Sequence, residues 1–531
     1  MERLAGKIML LWGPRRWIVS FCAGALGVLS LPPFDFFAVL FISFPVLVWL
    51  LDGASGDAEA GALGRLMPAF WTGWWFGFGY FVAGLWWLGN AVLVEAEQFA
   101  WALPLAVLGL PAVLALFYGL AGAFARLLWS DGFGRLCALA CGFGLAEWLR
   151  SFVLTGFPWN AIGYGLMPVP VMMQASALVG IFGMSALAVL VFSVPALIAT
   201  RRGLVPALIV GVALLVAQFG YGFWRLAQPE PEGGDTGDTI VVRIVQPSVD
   251  QSKKWDDGER RKIFETLLSL TKGQGQSDSK PTHIVWPETS VPFLLTSNPE
   301  ALMRIGEVLD SGQTLITGVV REERNDSGEA TRYYNSIYVI DDTGQITAAA
   351  DKIHLVPFGE YLPFAGLLRS IGLETIAHTP GTFSAGSRRQ SVPVPGDRRF
   401  LPLICYEVIF PDELEVEGPP ADFILNVTND AWYGRTPGPY QHFRQAQLRA
   451  VETGLPLVRA ANNGISTVTD AKGRILDGMS QNVIGVVDVE LPAKLHANRG
   501  SWNPAIAFWL IIALLSSVAL VSRYSFARTS N

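Results

Sequence analysis

The chain has 531 residues, 51% of them hydrophobic and only 16% charged. Soluble domains average about 25% charged residues, so the composition excludes an ordinary soluble protein and points to a membrane one. The net charge of −6, with no basic patch in the sequence, argues against nucleic acid as a partner.

In chain order, residues up to about 228 are mostly apolar, and a run of about 20 apolar residues crosses the hydrocarbon core. Spans are expected at 17–31, 36–51, 68–92, 102–128, 136–154, 171–198 and 204–224, with an eighth at 504–521. The 18 tryptophans and 32 phenylalanines fit this reading, because aromatic rings gather at membrane interfaces. Arg15-Arg16 before an apolar run also suits a cleaved signal peptide, but the spans that follow at once favour a retained first span. With a cytoplasmic N-terminus, the cytoplasmic ends hold Arg3, Lys7, Arg15, Arg16, Arg65, Arg126, Arg135, Arg201, Arg202, Arg523 and Arg528. The opposite short loops hold Glu95, Glu97 and, as a cation, Arg150. That asymmetry obeys the positive-inside rule and puts the polar segment between the seventh and eighth spans on the outer face.

The polar segment follows a linker rich in Pro, Glu, Gly and Asp. The expected layout is a seven-span domain at 1–228, a linker at 229–238, a polar domain at 239–491, and a last span and tail at 492–531. Short β-branched runs predict strands at 240–245, 284–286, 315–320, 336–340, 401–405, 423–427, 457–459, 466–469 and 483–489. Helical patterns lie at 260–271, 299–311 and 440–453. Interleaved strands and helices indicate a layered α/β domain.

Of the four cysteines, Cys22, Cys137 and Cys141 lie in apolar runs, where a thiol behaves as a small hydrophobe. Cys405 is alone in the polar segment, in Leu403-Ile404-Cys405-Tyr406-Glu407, so no disulfide framework is visible. Upstream lie Glu288, just past a strand stopped by Trp286-Pro287, and Lys352, in Asp351-Lys352. Taken singly these read as a loop carboxylate, a surface lysine and an inert core thiol. Together, a thiol, a base and a cation are the parts of nucleophilic acyl chemistry.

The order Glu288, Lys352, Cys405, each at the end of an expected strand, with Glu360 eight residues after the lysine, resembles the nitrilase (carbon-nitrogen hydrolase) superfamily. The matching pieces are Trp-Pro-Glu, Asp-Lys, Pro-Phe-Gly-Glu and Ile-Cys-Tyr-Glu, with Asn426-Val427-Thr428-Asn429-Asp430-Ala431-Trp432 following the nucleophile. With its spans, nearly the whole chain resembles the membrane-embedded branch of that superfamily that acylates apolipoproteins.

The resemblance implies an α-β-β-α sandwich joined to a multi-span α-helical membrane domain, in a bacterial inner membrane with the sandwich in the periplasm. It implies Glu288 as base, Lys352 as oxyanion cation and Cys405 as nucleophile, supported by Glu360, Tyr406 and Glu407, with the Tyr406 N–H as a second oxyanion donor. It further implies a phospholipid acyl donor (phosphatidylethanolamine), a diacylglyceryl apolipoprotein acceptor, a monomer, and no metal or organic cofactor. Trp255 resembles a family position near the substrate; an interfacial anchor is its other reading. Tyr361, Leu362 and Phe364 belong to an apolar stretch at 361–368, read either as a lipid-binding arm or as a core loop. Glu147 and Arg150 either pair in a cavity or face headgroups. Two alternatives stay open: a membrane-anchored amidase or lipid hydrolase with water as acceptor, and a non-catalytic lipid-binding or transport scaffold.

Overall fold

The computed structural model describes residues 1–57, 59, 61–229, 240–273, 275, 279–364, 366, 370, 382–495 and 503–529. The expected linker, apart from Pro229, and parts of the 361–368 stretch lie outside the described residues. The chain divides into two compact units: Met1–Gly89 with Ala102–Gln228 and Asn498–Asn531, and Asn90–Trp101 with Pro229–Ala497.

The first unit is helical. Its main helices run over Gly13–Gly27, Leu40–Asp52, Ala62–Leu85, Leu110–Leu127, Phe133–Leu149, Ser176–Ser193, Leu204–Ala227 and Pro504–Thr529. Among the described residues, five helical stretches suffice by length and composition to cross a membrane: Ala62–Leu93, Ala96–Leu127, Ser176–Ile198, Leu204–Ala227 and Pro504–Ser525. Phe37–Asp52 is a shorter apolar helix. Glu147 and Arg150 are fully buried and paired, 2.5 Å apart. Tyr118 Oη donates to Glu147 at 2.6 Å and Arg150 donates to the Trp159 carbonyl at 2.9 Å. These two groups therefore face each other and not lipid headgroups, as a low-dielectric interior requires of ionised side chains.

Among its described residues, the second unit holds two six-stranded sheets. One has the order β12-β1-β2-β3-β4-β5 and the other β11-β10-β9-β8-β7-β6. Their ranges are β1 Val241–Gln246, β2 His283–Trp286, β3 Thr314–Arg324, β4 Ala330–Ile340, β5 Ile346–Asp351, β6 Val392–Val394, β7 Arg398–Ile404, β8 Phe423–Thr428, β9 Leu457–Ala461, β10 Ser466–Thr469, β11 Ile475–Met479 and β12 Gly485–Glu490. β1, β2 and β3 run parallel, as do β7, β8 and β9. These central strands are mostly apolar and buried on both faces, as strands covered on both sides are.

Val242, Ile244, Val285, Ile316 and Val339 of the first sheet share one core with Phe400, Ile404, Leu425, Val427 and Val458 of the second. On the outer face of the first sheet, Phe264 and Leu267 of the Arg260–Lys272 helix and Ile305 of the Pro299–Val308 helix pack on Ile284, Trp286 and Leu315. The Gly438–Thr453 helix lies against β9. The result is the expected α-β-β-α sandwich.

Every expected strand is present, but the one expected at 401–405 stops at Ile404. Cys405 instead opens a short 3-10 turn with φ +52°. An L-residue in that left-handed region costs about 1–3 kcal/mol and persists only where its surroundings hold it.

Candidate active site

Three strand ends bring the chemistry together. Pro287 ends the β2 ladder and Glu288 follows it, buried. Thr289 next to it also has positive φ, +46°. Gly318 of β3 makes room for this turn, because a Cβ there would lie 2.6 Å from the Glu288 Cα. Lys352 follows β5 and is 1% exposed. Cys405 follows β7.

Lys352 Nζ lies 2.9 Å from Glu360 and 3.7 Å from Glu288 Oε1. Asn335 Nδ2, from β4, donates to Glu288 Oε1 and to Glu360 Oε1, each at 2.8 Å. Burial opposes the Lys352 charge, but Glu360, Glu288 and the Cys405 sulfur hold the ammonium above the ordinary lysine range. Burial pushes the Cys405 thiol up and the Glu288 charge adds to this, against the pull of Lys352. The resting sulfur is thus a thiol, and a nucleophile at this position needs a base. Thr428 Oγ1 lies 3.3 Å from Cys405 Sγ and 3.1 Å from Asp430 Oδ1, so its single proton serves one of them at a time.

The supporting residues tie the loops to one another. The Glu407 carboxylate accepts from Ile404 N at 2.7 Å, Ile353 N at 2.8 Å and His354 N at 3.1 Å, and pairs with Arg389 at 2.8 Å. It therefore fastens the backbone before the cysteine to the backbone after the lysine. Glu360 also accepts from Val356 N at 2.8 Å, closing its own loop. Tyr406 is buried, its ring edge-on to Phe410 at 5.0 Å.

Of the four residues read as substrate-binding, Trp255 and Tyr361 share a small apolar cluster with Val320, Leu355 and Phe383. Leu362 is buried, whereas Phe364 is 73% exposed.

Sequence reasoning gave Thr428 and Asp430 no role beyond their place in the run after the nucleophile, and assigned none to Asn335, His442, Arg459 or Lys254. Lys254 is buried beside Trp255, its Nζ 3.4 Å from the Glu288 carbonyl oxygen. The one signal for it in the sequence is that it directly precedes Trp255. Burial brings Lys254 down from 10.5 to about 8, against the pull of Glu288 and Cys405. Between these two values the unfolded chain binds a proton that the folded chain lacks, so stability from this residue rises with pH across that window. Lys254→Met is expected to remove that rise. The gain in thermal midpoint between about pH 7.5 and about pH 9.5 should be smaller in the variant than in the parent.

Among the described residues no group of three or more His, Cys, Asp or Glu side chains is placed to hold a metal ion.

Comparison with known proteins covers both units. Residues 23–194 match the family of the apolipoprotein N-acyltransferase N-terminal domain, and residues 242–498 match the carbon-nitrogen hydrolase family. The chain is similar to the apolipoprotein N-acyltransferase of Allorhizobium ampelinum, 56% identical over 524 residues that cover 98% of each chain. It is likewise similar to that of Sinorhizobium medicae, 57% identical over 528 residues and 99% of each chain. Among solved structures, an amidase from Nesterenkonia sp. covers 50% of this chain and 94% of its own at 18% identity and a TM-score of 0.35, too partial a likeness to bear on the site. At such identity over its whole length, the chain belongs to the apolipoprotein N-acyltransferase family, acyltransferases built on a carbon-nitrogen hydrolase domain.

Proposed function

We propose that Cys405 carries an acyl chain from a phospholipid to the N-terminal α-amine of a diacylglyceryl apolipoprotein. The observation that carries this reading is the pairing of Glu288 with Lys352 at 3.7 Å within the electrostatic reach of the Cys405 sulfur, in a chain whose relatives bear that activity in their names.

In the first half-reaction Glu288 takes the thiol proton as Sγ bonds the ester carbonyl carbon. The carbonyl oxygen becomes an oxyanion facing Lys352 Nζ and the Tyr406 N–H. The ester C–O bond then breaks, Glu288 gives its proton to the departing alkoxide, and a lysophospholipid leaves a thioester on Cys405. In the second half the α-amine attacks the thioester carbonyl. Its proton passes through Glu288 to the departing sulfur, and an amide is formed. A shared covalent intermediate makes the kinetics ping-pong.

Glu360, Glu407 and Tyr406 keep this frame in register, and Trp255, Tyr361, Leu362 and Phe364 receive the acyl chains. Each buried CH₂ holds a lipid by about 0.8 kcal/mol, so both substrates stay in the bilayer and the site must meet them there. The four-part layout at 1–228, 229–238, 239–491 and 492–531 belongs to this reading. So do a bacterial inner-membrane location with the sandwich in the periplasm, phosphatidylethanolamine as donor, and a monomeric enzyme.

Intact-mass analysis after mixing with phosphatidylethanolamine should give one acyl adduct, mapped to Cys405, and Cys405→Ala should give none. Full N-acylation of a diacylglyceryl peptide by Cys405→Ala would overturn the reading. Release of free fatty acid with no acylated peptide would turn it toward a hydrolase.

A further inference from the structure

Behind the nucleophile lies a buried polar chain that the acyl-transfer steps above leave unused. His442, on the Gly438–Thr453 helix, is fully buried. Its Nδ1 lies 2.8 Å from Asp430 Oδ1 and its Nε2 lies 3.1 Å from the carbonyl oxygen of Cys405. A carbonyl oxygen only accepts, so Nε2 carries a proton and donates; burial and the Arg459 charge favour the neutral ring, whose Nδ1 then accepts from Arg459 Nη2 at 3.1 Å. Asp430 is held in turn by Arg459 Nη2 at 2.8 Å and by Thr428 Oγ1 at 3.1 Å. Gly464 leaves room for that carboxylate, since a Cβ there would lie 2.1 Å from Asp430 Oδ2.

The acceptor of the His442 bond is the informative part. The Cys405 carbonyl and the Tyr406 N–H belong to one peptide group. That group is planar and trans, so its C=O and N–H point in opposite directions. Fixing the carbonyl on His442 fixes the N–H on the far side. The φ of +52° at Cys405 sets this peptide in an uncommon orientation that its surroundings must hold. A hydrogen bond to the carbonyl also polarises the same group and strengthens its N–H as a donor.

We propose that His442, anchored at Nδ1 by Arg459, which Asp430 holds in turn, is a positioning residue that aims the Cys405–Tyr406 peptide so that its N–H meets the oxyanion. This rests on the acyl-transfer reading above and adds to it the origin of the second oxyanion donor.

The test separates oxyanion chemistry from thiol reactivity. Alkylation of Cys405 by iodoacetamide forms no oxyanion, whereas acylation by phosphatidylethanolamine does. His442→Asn keeps a polar amide at the place of Nδ1, beside Arg459 and Asp430, but falls short of the Cys405 carbonyl. His442→Gln keeps a donor at the carbonyl and gives up the contacts at Nδ1. A lost oxyanion donor costs on the order of 10²- to 10³-fold, so a mis-aimed one in His442→Asn should slow acylation by about 10- to 100-fold. Alkylation, mapped to Cys405 by mass, should stay within about twofold of the parent, and His442→Gln should acylate within about threefold of it.

Equal acylation by His442→Asn and parent would overturn the proposal. So would a parallel fall in acylation and alkylation, which would mean that His442 merely holds the thiol. Should His442→Asn show no melting transition, His442→Gln decides alone: a loss of more than about tenfold in acylation with unchanged alkylation overturns the proposal. Absence of any adduct on the parent protein would sink the acyl-transfer reading instead.

Discussion

Glu288→Gln is expected to leave the protein folded and to slow acylation of Cys405 by about 10²- to 10⁴-fold, the range that a positioned general base supplies. The side chain keeps its size, and its Oε1 still accepts the Asn335 hydrogen bond that the carboxylate accepts at 2.8 Å. What disappears is the proposed proton acceptor. Burial and the Glu288 charge keep the Cys405 sulfur protonated at neutral pH, so without a base the attacking thiolate is scarce. Removing the negative charge also eases ionisation of the thiol slightly, which offsets only a small part of the loss. Single-turnover intact-mass measurements with excess phosphatidylethanolamine give the rate directly. Acylation within about threefold of the parent would show that some other group takes the proton.

Lys352→Met is expected to act on both stability and chemistry. Lys352 is the cation between two buried carboxylates, 2.9 Å from Glu360 and 3.7 Å from Glu288. Breaking a buried ion pair by removing one partner costs about 3–5 kcal/mol, because a charge is left without compensation. The remaining carboxylates share Asn335. Two like charges at one site raise the proton affinity of one of them until it rests protonated; a proton already on Glu288 leaves it unable to accept the one from the thiol, while the proposed oxyanion loses its cation. Losing the oxyanion contact alone costs about 10²- to 10³-fold.

A second substitution separates the two consequences. Lys352→Met combined with Glu360→Gln removes one stranded charge and should recover much of the lost stability in thermal melts. It should recover none of the acylation. Parent-level acylation by the double variant would remove Lys352 from the chemistry.

Much of the sandwich was legible in the sequence because its central strands are buried on both faces and mostly apolar. The strands that escaped notice are β5, β6 and β11, each on the edge of a sheet. Ile346–Asp351 is alanine-rich and only half buried, Val392–Val394 is three residues with a proline at its centre, and Ile475–Met479 is mostly exposed. A strand covered on one side or neither leaves little hydrophobic signal to read.

Glu288, Lys352 and Cys405 could be singled out because each follows a strand end, where chemistry-bearing residues often sit. Asn335 and His442 gave no such signal. One lies within a strand and the other on the buried side of a helix, and their meaning comes from partners 47, 25 and 37 residues away in the chain. The positive φ of Cys405 was equally invisible, since the apolar run before it reads as strand through the thiol.

The clamp formed by Glu407 has a mechanical consequence. Because one carboxylate grips Ile404 on one side and Ile353 and His354 on the other, the sulfur and the ammonium ride on a single stiff chassis. Glu360 bolts the next turn down through Val356. Displacing the backbone before the cysteine would therefore also pull on the backbone after the lysine, so in the proposed transfer sulfur and ammonium would keep their spacing through both half-reactions.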